Sequence, residues 1–301
     1  MAVNTSVPSP KARYVLITPA HNEERFLART AESVIAQTVR PLRWVVVNDG
    51  STDRTAEIVG QFGAQFSFIK LSNRDRTPGR HFGHKVEAFN RGLAEVRNLD
   101  FDFIGNLDAD ITLEPTYYET ILREFERDPE LGIAGGMVHT RAGERYVSQA
   151  VALDSVAGAV QLFRRECFEE VGGYKALPLG GIDAAAEVSA RMHGWKTRTF
   201  PQYRALEHRF TGSATARPFS SRLKEGRRMY ALGYSCLFFG CRCACRALER
   251  PWIVGSLVAY FGFFESMFRR RPVLLPPEVV RFLRAEQHGK LKRLLRLPRA
   301  A

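Results

Sequence analysis

From Tyr14 to Leu107 short apolar, β-rich runs alternate with stretches of helical periodicity, and no other feature constrains the fold so tightly. Tyr14–Thr18, Trp44–Val47, Phe66–Lys70 and Phe101–Leu107 read as strands. Glu23–Gln37, Thr52–Phe62 and His84–Val96 read as helices, with Phe26, Leu27, Val34 and Ile35 inward on the first and Val86, Phe89 and Leu93 on the third. Strands and helices at this spacing predict a parallel sheet covered on both faces, with ligands bound beyond the carboxyl ends of the strands. The rhythm then loosens. Pro115–Arg127 and Asp183–His193 read as helices; Gly132–Val138, Val156–Phe163, Lys196–Phe200 and Tyr203–Glu207 read as strands.

Polar groups gather where the strands end. The first runs into Pro19-Ala20-His21-Asn22-Glu23-Glu24, where Pro19 is expected to break the strand and Asn22 to cap the next helix. The second runs into Asn48-Asp49-Gly50-Ser51-Thr52-Asp53: Gly50 allows a sharp turn, and Ser51 or Thr52 can cap. Asp49 could accept from a base edge or a ribose hydroxyl, or simply be a turn residue. The strongest local signal is Asn106-Leu107-Asp108-Ala109-Asp110. Two carboxylates one small residue apart repel each other unless a cation joins them. Mg²⁺ and Mn²⁺ prefer such oxygens together with those of phosphates, and Ala109 would keep their approach open.

In this order and spacing, Pro19–Glu23, Ser33–Thr38, Val46–Asp53, Gly83–Gly92 and Asp108–Asp110 resemble the family 2 glycosyltransferases, over roughly residues 14–215. The resemblance implies an α/β fold of the GT-A type: a Rossmann-like mixed sheet of a nucleotide-diphospho-sugar transferase, here followed by a helical tail. It implies that Pro19, Ala20, Asn22, Glu23 and Asp49 hold the donor's base and ribose, and that Lys85 lies near the base or the phosphates. Asp110 would bind a divalent metal, Mg²⁺ or Mn²⁺, and Asp108 the ribose or the metal. Asn48 departs from the pattern, since many relatives carry Asp there. Leu179–Asp183, followed eleven residues later by Gly194-Trp195, resembles the segment bearing the catalytic carboxylate. Asp183 is thus the expected base and Glu187, one helical turn on, the alternative. His208 stands where a third metal ligand is found in this fold. Arg227 and Arg228 could clamp the diphosphate or face lipid headgroups. Gly172-Gly173-Tyr174, after Cys167, belongs to a run common near the acceptor side.

Charge separates the two ends of the chain. Residues 217–301 carry 18 Lys+Arg against 5 Asp+Glu, whereas residues 1–216 carry 26 against 27. The basic segments alternate with apolar ones: Met229–Cys241, Trp252–Phe264, and an amphipathic helix from Glu278 to Leu297. Helices lying on a membrane of anionic lipids fit this pattern. A span through Trp252–Phe268 would have to shelter Glu265, and docking on the catalytic domain is the third reading. A nucleic-acid partner fits the apolar blocks less well. Cys236, Cys241, Cys243 and Cys245 lack paired Cys-x-x-Cys spacing and read as reduced thiols, and Cys167 as a core residue. The polar Met1–Arg13 lacks the apolar core of a signal peptide, so the catalytic part is expected to stay in the cytoplasm.

The expected organisation is a flexible 1–13, a catalytic domain 14–215 and a membrane-associated tail 216–301. The expected activity is inverting, metal-dependent transfer of a sugar from a UDP- or GDP-linked donor to a saccharide or lipid-linked acceptor in cell-envelope polysaccharide or glycolipid synthesis. A sugar nucleotidyltransferase and a non-catalytic membrane scaffold are the rivals. The first would normally carry a Gly-rich phosphate loop where Pro-Ala-His-Asn-Glu stands.

Overall fold

The computed structural model describes residues 12–75, 83–149, 152–209, 218–246 and 252–296, leaving out the side chains of Pro218, Trp252, Leu295 and Arg296. Its sheet contains β1 (Tyr14–Ala20), β2 (Arg43–Asp49), β3 (Ile69–Arg74), β4 (Phe103–Asn106), β5 (Ile111–Leu113), β6 (Leu131–Ala142), β7 (Arg145–Ser148), β8 (Leu162–Arg164) and β9 (Lys196–Glu207). They lie in the order β3-β2-β1-β4-β8-β6-β9-β5, with β7 hairpinned onto β6. The β3-β2-β1-β4 half is parallel, but β8 runs antiparallel to β4 and β6, and β5 antiparallel to β9. The sheet is therefore mixed, as the family resemblance implied, rather than parallel throughout.

Helices cover both faces: α1 (Leu27–Ile35), α2 (Thr55–Gln65) and α4 (Tyr117–Arg127) one face, α3 (Gly83–Val96), α5 (Arg165–Val171) and α6 (Ile182–Met192) the other. Two-residue alternation in the strands dictates this division. Tyr14, Leu16, Trp44 and Val46 enter the first core, while Val15, Ile17, Val45 and Val47 enter the second. Cys167 packs in the second core, as expected.

Several boundaries differ from the sequence reading for identifiable reasons. Strand β1 continues through Pro19 to Ala20, because its pairing with β4 has ended by Ile17 and β2 alone flanks it there. Helix α1 starts at Leu27, not Glu23. Asn22, with φ 57°, turns its Oδ1 to the backbone N–H of Thr52 instead of capping α1. Helix α2 starts at Thr55, with Arg54 rather than Ser51 or Thr52 at its N-cap position, and Asp53 accepts from the Thr55 N–H at 3.0 Å in the turn ahead of it. Residues 156–161 are irregular, so β8 begins only at Leu162. The two strands expected near Lys196 and Tyr203 are one, β9, whose pairing with β6 slips between Phe200 and Arg204.

After residue 217 come α7 (Pro218–Ala231), α8 (Cys236–Cys245), α9 (Trp252–Phe268) and α10 (Pro277–Arg296). Met229, Leu232, Phe239, Ala259, Phe263, Val279 and Leu283 form a third core that also takes in Leu177, Ala185 and Val188. The tail is thus docked on α6. Helices α7 and α9 cross so closely that a Cβ on Gly226 would lie 1.8 Å from the carbonyl oxygen of Ala259. Polar clasps add to the docking: Arg191 makes a two-pronged bond to Glu286 at 2.8 and 3.0 Å, and Lys290 reaches Asp154 at 2.6 Å. Among the described residues no helix is long and apolar enough to cross a membrane.

Candidate active site

The carboxyl ends of β1, β2 and β4 emerge on one rim of the sheet, and the first two loops are stitched together. Ser51 Oγ accepts from the Asn22 N–H at 3.0 Å, Thr55 Oγ1 from Glu23 at 2.8 Å, and Asp53 from Glu24 at 3.0 Å. Asn48 closes its own turn by accepting from Ser51 at 3.1 Å and donates to Asn73 at 3.0 Å. Asp49 is buried and paired with Arg74, which also reaches Glu87. Ala20 is buried in the core, so only its backbone can meet a ligand; Pro19 is half-buried.

Beyond β4, Asp108 and Asp110 straddle Ala109. This alanine does not keep an approach open. It is buried, and its carbonyl accepts from Thr30 Oγ1 at 2.8 Å, which moors the acidic pair to α1. Asp108 Oδ1 accepts from Lys85 Nζ at 2.6 Å and from Asn106 Nδ2 at 2.9 Å. Burial, with the Asp108 charge beside it, raises the Asp110 pKa, while Arg209 Nε at 3.0 Å opposes the rise. The other arm of Arg209 donates to Glu23, whose pKa is nevertheless pushed up to about 7 by burial, Asp110 and Asp108 adding to the effect. Burial works against the Lys85 ammonium, yet Asp108, Asp183 and Asp110 together raise its pKa.

Asp183 lies in the first turn of α6, after Gly181 at φ 86°, a conformation that favours glycine. Gly158 brings it near the acidic pair: an added Cβ there would sit 3.0 Å from Asp183 Oδ2, and the Gly158 carbonyl accepts from Asn106 Nδ2, which also donates to Asp108. Glu187 is placed differently. It is 3% exposed and accepts from Ser155 Oγ, the Val156 N–H and Gln161 Nε2 at 2.8, 2.7 and 3.0 Å, contacts that take it away from the role of alternative base.

The N–H of His208 bonds the Asp110 carbonyl at 2.9 Å, but both its ring nitrogens are engaged, Nε2 with Thr112 Oγ1 at 2.8 Å and Nδ1 with the Tyr146 hydroxyl at 2.7 Å. In this arrangement the imidazole supports the acidic pair from behind and offers a metal no nitrogen. Arg227 is turned to Glu265 at 3.0 Å, away from a diphosphate role. Arg228 lies against Gly181, at the start of α6. Gly172 ends α5 in a left-handed conformation, and Tyr174 bonds Gln161 Oε1 at 2.7 Å from within the core.

Among the described residues no three His, Cys, Asp or Glu side chains are grouped to hold a metal. Asp108 and Asp110 fit a Mg²⁺ or Mn²⁺ ion that draws its remaining oxygens from a diphosphate and water. The observation behind this fit is that two neighbouring acids, one of them buried, already recruit a side-chain cation each. Sequence reasoning assigned no role to Arg209 or Arg74. The excess of acids at the strand ends was the available signal, because buried carboxylates need counter-charges.

The strand order and the acidic rim define a GT-A architecture. Residues 15–172 match the profile of Glycosyl transferase family 2, and the chain belongs to that family of glycosyltransferases. Over 174 residues it is 25% identical to the poly-beta-1,6-N-acetyl-D-glucosamine synthase of Staphylococcus epidermidis, covering 50% of this chain and 39% of that protein. The chain thus spans about two fifths of the length of that relative. Among solved structures, the mannosyltransferase PcManGT from Pyrobaculum calidifontis, in complex with GDP-Man and Mn²⁺, superposes with a TM-score of 0.55 at 16% identity, over 97% of this chain and 79% of that one. S. aureus TarS 1-349 in complex with UDP-GlcNAc gives 0.53 at 14%, over 85% and 73%. These two likenesses concern the fold.

Proposed function

We propose that the chain transfers a sugar from a UDP- or GDP-linked donor to an acceptor hydroxyl, with inversion, in building a cell-envelope polysaccharide or glycolipid. One observation supports the reading: Asp183 lies against Gly158, whose carbonyl accepts from Asn106, and Asn106 in turn donates to Asp108, the partner of Lys85. The stitched loops at Asn22–Glu23 and Asp49 would hold base and ribose. Asp108 and Asp110 would hold a divalent ion, which when bound supplies Lewis-acid stabilisation of the departing diphosphate. Lys85 stands beside them as a fixed positive charge, effective where charge develops on the leaving group. Asp183 takes the proton from the acceptor hydroxyl as the oxygen attacks the anomeric carbon. One base opposite one leaving group is the arrangement for a single displacement.

A location at the cytoplasmic face of a membrane, with a lipid-linked or saccharide acceptor, belongs to the same proposal. Helix α9 buries Ala259 and Phe263 and turns Ile253, Val254, Leu257, Phe261 and Phe268 outward, beside Arg269 and Arg270. An apolar stripe flanked by arginines suits anionic lipid. Replacing both Leu257 and Phe261 by Asp in the full chain should end co-flotation with anionic vesicles; undiminished flotation would sink the lipid reading.

Release of UDP or GDP from a panel of sugar nucleotides with Mn²⁺ tests the activity. Pyrophosphate released from a nucleoside triphosphate and a sugar 1-phosphate, with no nucleoside diphosphate from any sugar nucleotide, would favour a nucleotidyltransferase, and no product from either a scaffold. Asp183→Asn should keep donor binding and lose at least ~100-fold in turnover. Asp110→Ala should lose metal-dependent donor binding altogether.

A further inference from the structure

The irregular residues 155–161 touch β4 and its following loop on one side and α6 on the other. Toward β4, the carbonyl of Gly158 accepts from Asn106 Nδ2 at 2.5 Å, that of Gln161 from the Asn106 N–H at 2.9 Å, and that of Ala159 from the Asp108 N–H at 3.0 Å. Toward α6, Gly158 lies against Asp183 so closely that an added Cβ would sit 3.0 Å from both its Cβ and its Oδ2. One short stretch of backbone is therefore the spacer between the donor-side carboxylate and the proposed base.

A segment without regular structure needs something else to hold it, and here that is Glu187. Its Oε1 accepts from the Val156 N–H and Gln161 Nε2, and its Oε2 accepts from Ser155 Oγ. Gln161 Nε2 also bonds the Val156 carbonyl at 3.1 Å, and Tyr174 holds the other end of the same amide. Thr199 Oγ1 and Thr197 Oγ1 secure the carbonyls of Ser155 and Asp154 from β9. Both ends of the spacer converge on one carboxylate, a helical turn behind Asp183.

We infer that Glu187 is a positioning residue for the transfer. By clasping residues 155–161 it sets the gap between Asp108 and Asp183, and with it the alignment of the acceptor hydroxyl on the anomeric carbon. It handles no proton in the reaction. The inference rests on the reading of Asp183 as base. It predicts a loss in turnover more than in donor binding, because misalignment by about 1 Å can cost on the order of 100-fold in rate.

Three variants of the full chain, assayed for nucleoside diphosphate release with Mn²⁺, test it. Glu187→Gln keeps an oxygen for Val156 and Gln161 and offers Ser155 Oγ an N–H, so it should stay within about threefold of wild-type kcat. Glu187→Ala removes the clasp and should lose ~100-fold in kcat with donor KM within about threefold. Gly158→Ala leaves the clasp intact and pushes on Asp183; kcat should fall at least ~10-fold with unchanged donor affinity. If Glu187→Ala does not fold, the other two decide. A Gln variant as inactive as a missing base, or wild-type kcat in Gly158→Ala, overturns the inference. Asp183→Asn in the same assay reports on the base separately. Normal turnover there withdraws the base assignment, whereas a dead Glu187→Gln beside a dead Asp183→Asn withdraws the positioning role alone.

Discussion

Arg209 Nε donates to Asp110 Oδ2 at 3.0 Å while the other arm of the same guanidinium holds Glu23, so a side-chain cation joins the loop after β1 to the acidic pair after β4. The short β5 makes this possible. It leaves Asp110 and runs back along the end of β9, pairing Ile111 with Glu207 and bringing Arg209 alongside. The guanidinium also lies over the Phe26 ring, 5.6 Å from its centroid, a contact that fixes its approach.

Arg209→Ala should leave two largely buried acids without their shared partner. Its melting temperature without ligands should fall. Mn²⁺ together with a nucleoside diphosphate should then raise it by more than in the wild type, as expected for ligands that supply the missing charge. Thermal scans with and without both ligands check this; equal shifts in the two proteins would mean that Arg209 and the metal do not answer the same electrostatic need.

Lys85 bonds Asp108 at 2.6 Å from α3, and the Asp183 and Asp110 charges also act on it. Lys85→Ala should reduce turnover at saturating donor by at least ~100-fold, the cost of removing one charge-stabilising group at a reacting centre. Nucleoside diphosphate release measures it. A change in donor KM alone would restrict the lysine to binding.

Glu187 also predicts a pH dependence of stability. Burial, with the Asp183 charge adding to it, pushes its carboxyl up to about 7, against the pull of Val156, Ser155 and Arg191. The native state therefore holds a proton that the unfolded chain releases near its ordinary value, about 4.3. That contribution is complete below the unfolded value and is lost as pH rises to about 7. It is worth about 4 kcal/mol. Glu187→Gln, which mimics the protonated form, should be more stable than wild type at pH 8 and lose the advantage by pH 4. Urea titrations across that range decide.

Where α7 and α9 cross, Gly226 meets the Ala259 carbonyl, and a Cβ on Gly262 would lie 2.4 Å from that of Leu223. Alanine at either position should cost about 1–3 kcal/mol through overpacking. Gly289 in α10 has open space around it, so Gly289→Ala should stabilise by roughly 0.5–1 kcal/mol. Opposite signs in denaturant titrations would bear out the close crossing.

The parallel half of the sheet and its acidic rim were legible because β1, β2 and β4 are apolar runs ending in charge. The antiparallel additions were not. Strand β5 has three residues and β7 is exposed on every residue, so neither carries a usable alternation. Asp108, Asp110, Asp183 and Lys85 could be picked out by position along the chain, but their other partners could not. Arg74, Asn106, Gly158 and Arg209 matter through contacts spanning tens of residues. Glu187 shows the limit most clearly: helical spacing put it below Asp183, and only packing revealed that it turns inward. Of the three readings of the tail, docking is met by one face of α9: Ala259 and Phe263 pack in the third core, while Leu257 and Phe261 look outward.

Glu286 and Lys290 sit one turn apart on α10 and grip Arg191 of α6 and Asp154 just ahead of the spacer. The last helix is thereby geared to the helix bearing Asp183. Tilting α10 would be felt as a twist at the proposed base, across a stretch of sequence that contains none of the family's motifs.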